Sequence, residues 1–194
     1  MKIIFPTIIH EIYIPTFKQI ENDLIKLSYH EKKKDPKGAS KSNQHGWQSQ
    51  PLNPDHEFAS MIMEAVKNHF ATERIYKDGV GLQLLNSWVN ISGKHAYNSK
   101  HTHPGAHLSG VVWVKIPPNS GRLEFEAPFS FTREKEIENY NEKVKEKYNV
   151  YPMIYYNPQP GMMVIFPSDL EHEVMSNKSN EDRISVSFNL KIIS

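Results

Sequence analysis

Apolar and polar positions follow two different rhythms along this chain, and the change falls near Gly81. Before it, Lys2–Pro15 is rich in isoleucine and ends at a proline, which predicts a strand at the edge of a sheet. Residues 16–30 place Ile20, Leu24 and Leu27 at helical spacing with charges between them, predicting an amphipathic helix. Residues 31–54 are polar and full of turn formers, so a long loop is expected, with Trp47 tucking it back onto the body. The Lys32–Lys34 cluster reads as a solvated turn. Residues 55–70 open on Asp55 as a cap and align Phe58, Ile62, Ala65, Val66 and His69 on one stripe, a second helix packed on a sheet. On that stripe His69 reads as a hydrogen-bonded core histidine, not a ligand.

Beyond Gly81 the period becomes that of β structure. Leu82–Ile91, Leu108–Ile116, Arg122–Phe125, Met153–Tyr156, Met162–Phe166 and Arg183–Ile193 read as short strands separated by Gly, Pro and Asn turns. That rhythm predicts a barrel or sandwich. Phe131–Tyr148 interrupts it with a highly charged helical pattern whose stripe is Ile137, Tyr140, Val144 and Tyr148. It reads as a solvated helix resting on the barrel, or as a lid over the site.

A length of 194 residues fits one domain spanning 1–194, hence one active site. Lys+Arg 23 against Asp+Glu 22 gives a net charge of +1, so no global field makes nucleic acid or an anionic membrane an obligatory partner. The absence of cysteine removes disulfides, thiolate metal sites and thiol nucleophiles together. The apolar opening run is broken by Pro6, His10 and Glu11 and has no basic leader, so neither signal peptide nor span is expected. The expected protein is soluble and cytoplasmic, and assembly as a homodimer stays open. Histidine is the unusual component: 10 residues, with His101, His103 and His107 within seven positions.

Two residues apart on an extended strand, His101 and His103 project from one face as a pair of imidazoles. Pro104 and Gly105 forbid a helix there, so His103 and His107 do not form a helical metal pair, and His107 stays outside the ligand set. A redox metal needs a third protein ligand. The segment 160–172, a turn, an apolar strand and a proline break, supplies His172. Asp169 and Glu171 flank it, either as acceptors for its second ring nitrogen or as surface carboxylates. Eleven residues further on, Arg183, Ser185, Ser187 and Asn189 alternate along one strand face, a costly polar row to bury unless something ionic faces it. An Arg fork beside a hydroxyl suits a carboxylate.

The paired histidines before Pro104, the block Ser109-Gly110-Val111-Val112-Trp113, the segment ending in His172 and the Arg183-x-Ser185 pair together resemble the 2-oxoglutarate- and Fe(II)-dependent oxygenases. The nearest likeness is to a bacterial and phage group of unassigned substrate, and it covers roughly residues 82–193. The resemblance implies a mainly β fold with flanking helices, a double-stranded β-helix of the jelly-roll, cupin-like type. Its core would be 82–193 with a helical insertion at about 128–150, preceded by an N-terminal strand, helices and long loop over 1–81. It implies Fe(II) on His101, His103 and His172, and 2-oxoglutarate as cosubstrate. Arg183 and Ser185 would bind the far carboxylate, with Asn90 in contact with the cosubstrate. The expected reaction consumes O2, hydroxylates a small molecule or protein side chain, and releases succinate and CO2. Tyr97 and Asn98 are further candidates to face the cosubstrate.

His103 stands where the superfamily usually has a carboxylate. Three-His iron also serves cupin-type dioxygenases that do not use 2-oxoglutarate, and a non-catalytic metal-binding β-helix is a third reading. Glu124 or Glu126 in the RLEFE segment is an alternative ligand, although alternating strand residues facing solvent explain both. Specificity is expected in the loop 31–54 and the insertion 128–150.

Overall fold

The computed structural model describes residues 6–128 and 135–194. Among the described residues eleven strands form two antiparallel sheets. The larger joins β1 (His10–Tyr13), β9 (Met162–Pro167), β6 (Leu108–Lys115), β11 (Arg183–Ile193), β4 (Gly81–Ser92) and β3 (Trp47–Gln48), in that order. The smaller runs β2 (Asn43–Gln44), β5 (Tyr97–His101), β10 (His172–Val174), β7 (Leu123–Glu126), β8 (Met153–Tyr156). The two sheets make the expected jelly roll.

Strand alternation sorts side chains into two layers. From β11, Ile184, Val186, Phe188 and Leu190 point outward and are fully buried against α1 (Phe17–Lys34) and α2 (Glu57–Thr72). Val112 and Val114 of β6 and Met163 and Ile165 of β9 join the same core. Large-to-alanine changes here, such as Phe58→Ala, cost about 3–5 kcal/mol. The opposite face of the large sheet is divided. On β6 and β9 it carries Val111, Trp113, Met162, Val164 and Phe166, which meet Leu123, Phe125 and Leu170 from the smaller-sheet side. On β4 and β11 it is polar: register sets Asn90 beside Ser185, Trp88 beside Ser187 and Asn86 beside Asn189. The site forms over this polar half.

Gly110 allows the layers to close, because a Cβ there would collide with the Phe188 ring and lie 2.8 Å from the Val164 carbonyl oxygen. The sequence required a small residue at a position with ordinary backbone angles.

Several expectations are corrected. α1 continues through Lys34, so Lys32–Lys34 form its last helical turn, where cations suit the negative end of the helix dipole. The loop 31–54 is thus shortened, and it contributes the edge strands β2 and β3. Trp47 does tuck it down, 8% exposed and donating Nε1–H to the Asp35 carbonyl at 2.9 Å. His56, not Asp55, caps α2, its Nδ1 accepting from the Phe58 N–H at 3.2 Å. The first strand is confined to β1 at the sheet edge among the described residues, residues 1–5 lying outside them. His69 is half-buried, its Nε2 3.4 Å from His10 Nδ1. Part of the insertion, 129–134, lies outside the described residues; the rest is helical at 135–138 and in α3 (Glu142–Tyr148), capped by the Asn141 side chain. Ile137 and Tyr148 line an apolar groove with Ile8, Phe125 and Leu170, and no described residue of the insertion reaches the histidine cavity.

Candidate metal and cosubstrate site

His101 closes β5 and His172 opens β10, and the two are direct partners across that antiparallel pair. His103 lies just past the strand end, not within it as the alternation argument supposed, and is turned back by the Pro104–Gly105 turn. The three rings nevertheless converge: every pair of ligand nitrogens offered by them lies within 4.8 Å. Ring centroids are 4.4 Å apart for His101 and His172, 4.9 Å for His101 and His103, and 5.0 Å for His103 and His172.

Backbone carbonyls orient two of the rings. His101 Nδ1 is 2.7 Å from the Ser99 oxygen and His172 Nδ1 is 2.9 Å from the Leu170 oxygen. A carbonyl only accepts, so both rings carry their proton on Nδ1 and leave the Nε2 lone pair for the site. The acceptor for His172 is therefore Leu170, neither Asp169 nor Glu171. His103 Nε2 stands 3.2 Å from His172 Nε2. Burial pushes the pKa of His172 down to about 3, with the neighbouring His101 and His103 adding to the shift. Burial and then His101 push His103 down to about 4, and burial lowers His101. At neutral pH the cluster is a set of uncharged imidazoles with converging lone pairs. That donor set fits a divalent first-row metal, Fe(II) included.

Glu124 and Glu126 do not compete for this role. They alternate with Leu123 and Phe125, whose side chains enter the core, and so face away from it. Glu124 accepts from Arg122 Nε at 2.5 Å, and Glu126 pairs with Lys100. His107 is engaged elsewhere, its Nδ1 accepting from the Ile192 N–H at 3.0 Å.

The histidines line one cavity with Asn90, Ser185, Ser187, Trp88 and Trp113. Asn90 is 5% exposed; its Nδ2 donates to Ser187 Oγ at 3.1 Å, and its Oδ1 is buried without a partner among the described residues. A buried unpaired amide oxygen is costly, by about 1–3 kcal/mol, and marks a group positioned for something other than the fold. Asn98 lines the cavity as well, whereas Tyr97 is 37% exposed.

Arg183 is 2% exposed, on the same strand face as Ser185 and one row beyond it. Its Nη1 donates to the carbonyls of Ser120 and Met175, and no hydrogen bond joins it to Ser185. Burial lowers its pKa to about 10, which keeps it charged at neutral pH. Among the described residues no carboxylate pairs with it, an unusual condition for a buried guanidinium. Gly121 makes room for it: with φ +87°, a Cβ there would strike the Met175 carbonyl and stand 2.8 Å from Arg183 Nη1.

Sequence reasoning passed over Trp88 and Gly121, and it named Ser187 in the polar row and Trp113 in the motif without placing either in the cavity. Trp88 was within reach, since it alternates with Asn90 on β4, and its ring centroid is 5.7 Å from that of His103. Gly121 carried no local signal, because its role depends on an arginine 62 residues away.

No curated protein matches the sequence. Among solved structures, a Pseudomonas putida prolyl-4-hydroxylase superposes with a TM-score of 0.62 at 14% identity, covering 94% of this chain and 91% of that one. A viral collagen prolyl hydroxylase from Paramecium bursaria Chlorella virus-1, in its 2-oxoglutarate complex, gives 0.61 at 15% identity, covering 96% of each chain. HygX from Streptomyces hygroscopicus, with nickel and 2-oxoglutarate bound, gives 0.57 at 12% identity over 95% of this chain and 83% of that one. These likenesses establish a shared fold. The family model described as "Putative 2OG-Fe(II) oxygenase" matches residues 86–189, more than half of the chain, and its span holds all three histidines, Asn90 and Arg183. The chain belongs to this 2-oxoglutarate- and Fe(II)-dependent oxygenase family.

Proposed function

We propose that His101, His103 and His172 hold Fe(II) through their Nε2 atoms, that Arg183 with Asn90 and Ser185 receives 2-oxoglutarate, and that the enzyme hydroxylates a substrate admitted beside Trp88. The observation that carries this reading is a cluster of neutral imidazoles in a cavity that Ser185 and Asn90 line, with a buried guanidinium two residues before Ser185 on β11 that has no carboxylate partner among the described residues, although Arg183 itself does not line that cavity. The buried cation is what favours 2-oxoglutarate over a three-His chemistry without it, since a dicarboxylate supplies the missing counter-charge.

Bound together, iron and 2-oxoglutarate supply oxidation by O2, with decarboxylation to succinate and CO2 furnishing two electrons and the substrate C–H bond the other two. The protein's own contributions are positional and electrostatic. The carbonyls of Ser99 and Leu170 fix the tautomers and directions of His101 and His172. Three neutral imidazoles leave the metal its full charge, and the cosubstrate dianion offsets it where the superfamily carboxylate usually does so. Arg183 fixes the far carboxylate by charge-assisted hydrogen bonds, its fork held by Ser120 and Met175. Trp113, Leu123, Phe166 and Val174 line the cavity with apolar surface and exclude water.

The test is anaerobic loading with Fe(II), followed by 2-oxoglutarate, while watching for the metal-to-ligand charge-transfer absorption. Its appearance supports the reading. Its absence from a folded, iron-loaded protein overturns the cosubstrate assignment in favour of the three-His alternative.

A further inference from the structure

A groove of about 640 Å³ opens beside the cavity and shares Ser42, Trp88, His101 and His103 with it, so whatever occupies it lies against the reacting centre. That volume suits a small molecule. Its walls come from the loop after α1, from β4 and from the Asn189 end of β11, with no described residue of the charged insertion taking part.

The lining is selective in its chemistry. It contains no aspartate or glutamate, and apart from the histidines its one ionisable side chain is Lys41, whose ammonium has no ion-pair partner among the described residues. Gln48 is 7% exposed, yet its side-chain amide makes no hydrogen bond among the described residues. A directed chain of hydrogen bonds crosses three strands at the groove. Ser109 Oγ donates to Asn189 Oδ1 at 2.7 Å, and Asn189 Nδ2 donates to Asn86 Oδ1 at 2.9 Å. Each bond polarises the next, leaving the Asn86 Nδ2 hydrogens as the strengthened donor end of the relay. The Trp88 indole adds a flat apolar wall next to His103.

We propose that this groove takes a small, carboxylate-bearing substrate. Its anionic group is received by Lys41 and by Asn86 at the end of the Ser109–Asn189–Asn86 relay, and its apolar carbon lies along Trp88 beside the histidines. Lys41 and Asn86 offer such a group charge-assisted and polarised hydrogen bonds. A cationic substrate would lose water against Lys41 and find no carboxylate in return, so the groove discriminates against amines as well as for acids. Asn189 and Ser109 are positioning residues, acting through Asn86.

This inference rests on the oxygenase reading for the location of the reacting carbon, and its test is separable from that reading. The protein is loaded with Zn2+, which is redox-inert, in the presence of 2-oxoglutarate, whose binding is followed independently by calorimetry. The indole N–H resonance of Trp88, assigned with Trp88→Phe, is then followed in 15N-labelled protein. The titrants are N-acetylalanine as anion, N-acetylalanine amide as neutral probe and alanine amide as cation. N-acetylalanine is expected to shift the Trp88 signal saturably, with affinity about tenfold or more above that of alanine amide, the effect of one charge contact. Lys41→Glu should abolish or reverse that order, and Asn189→Leu should weaken the anion alone. An equal or stronger response to alanine amide, no response to N-acetylalanine, or an unchanged order in Lys41→Glu overturns the proposal. Failure of 2-oxoglutarate to bind in the calorimetric arm refutes the cosubstrate assignment instead, and leaves the groove result to stand or fall by its own signal.

Discussion

His101 and His172 face each other as Cα partners across the antiparallel pair of β5 and β10, with their ring centroids 4.4 Å apart. Directly opposed residues share a sheet face, so strand pairing alone brings the two imidazoles together before any metal arrives. His172→Ala removes one of three donors and is expected to weaken Zn2+ or Fe(II) binding by more than about 100-fold. Metal titration of a variant with an unchanged circular dichroism spectrum checks this. Wild-type affinity would refute the ligand assignment.

Arg183→Lys keeps the charge but removes the planar fork. Binding of 2-oxoglutarate to the Zn2+-loaded variant should weaken by about 2–3 kcal/mol, roughly 30- to 150-fold, with Zn2+ affinity nearly unchanged. Calorimetry separates the two quantities. Parallel loss of both would mean that the substitution damaged the fold and not the anion contact.

Gly121→Ala tests the turn that makes room for that guanidinium. Its φ of +87° and the crowding against Met175 and Arg183 predict a loss of about 1–3 kcal/mol in stability. The expected companion effect is weaker 2-oxoglutarate binding, because Arg183 must shift to make room. Chemical denaturation and ligand titration report the two effects. Normal cosubstrate affinity in a destabilised variant would detach Gly121 from the site.

The metal-free protein should lose stability on acidification in a window set by its buried histidines. Their folded pKa values lie below the ordinary 6.5, at about 4 for His103 and about 3 for His172, with His101 and His10 also lowered. Below pH 6.5 the unfolded chain therefore takes up protons that the folded one refuses, and unfolding is favoured. The loss grows by about 1.4 kcal/mol per pH unit for each proton and levels off for each group below its folded pKa. Urea denaturation between pH 7 and 4 measures the slope, and His172→Leu should flatten it. A slope unchanged by that substitution would contradict the burial argument.

Much of this architecture was legible because it repeats locally. Met153–Tyr156 and Arg183–Ile193 were bounded correctly from period-two alternation, and the other long strands to within a residue or so at either end. The short strands Tyr97–His101 and His172–Val174 were not bounded as elements, although an extended strand was assumed at His101 and His103, since five and three residues carry too little alternation. They are nonetheless the strands that carry two of the histidines. The loop 31–54, where specificity was expected, lines the groove beside the histidines through Lys41, Ser42 and Gln48. The insertion was not separable from it by composition, and its described residues pack elsewhere.

What the sequence determined by itself was the chemistry available: three imidazoles and an Arg-x-Ser-x-Ser-x-Asn face, readable because alternation and turn formation depend only on near neighbours. Tertiary structure decided which of these groups meet. His103 reaches His172 across 69 positions and Asn90 reaches Ser187 across 97. Strand order and register created those contacts, and they likewise turned Glu124 and Glu126 away from the core and left Arg183 without a carboxylate among the described residues. No local pattern encodes a register between strands so far apart in the chain, because it is set by the joint burial of both sheets.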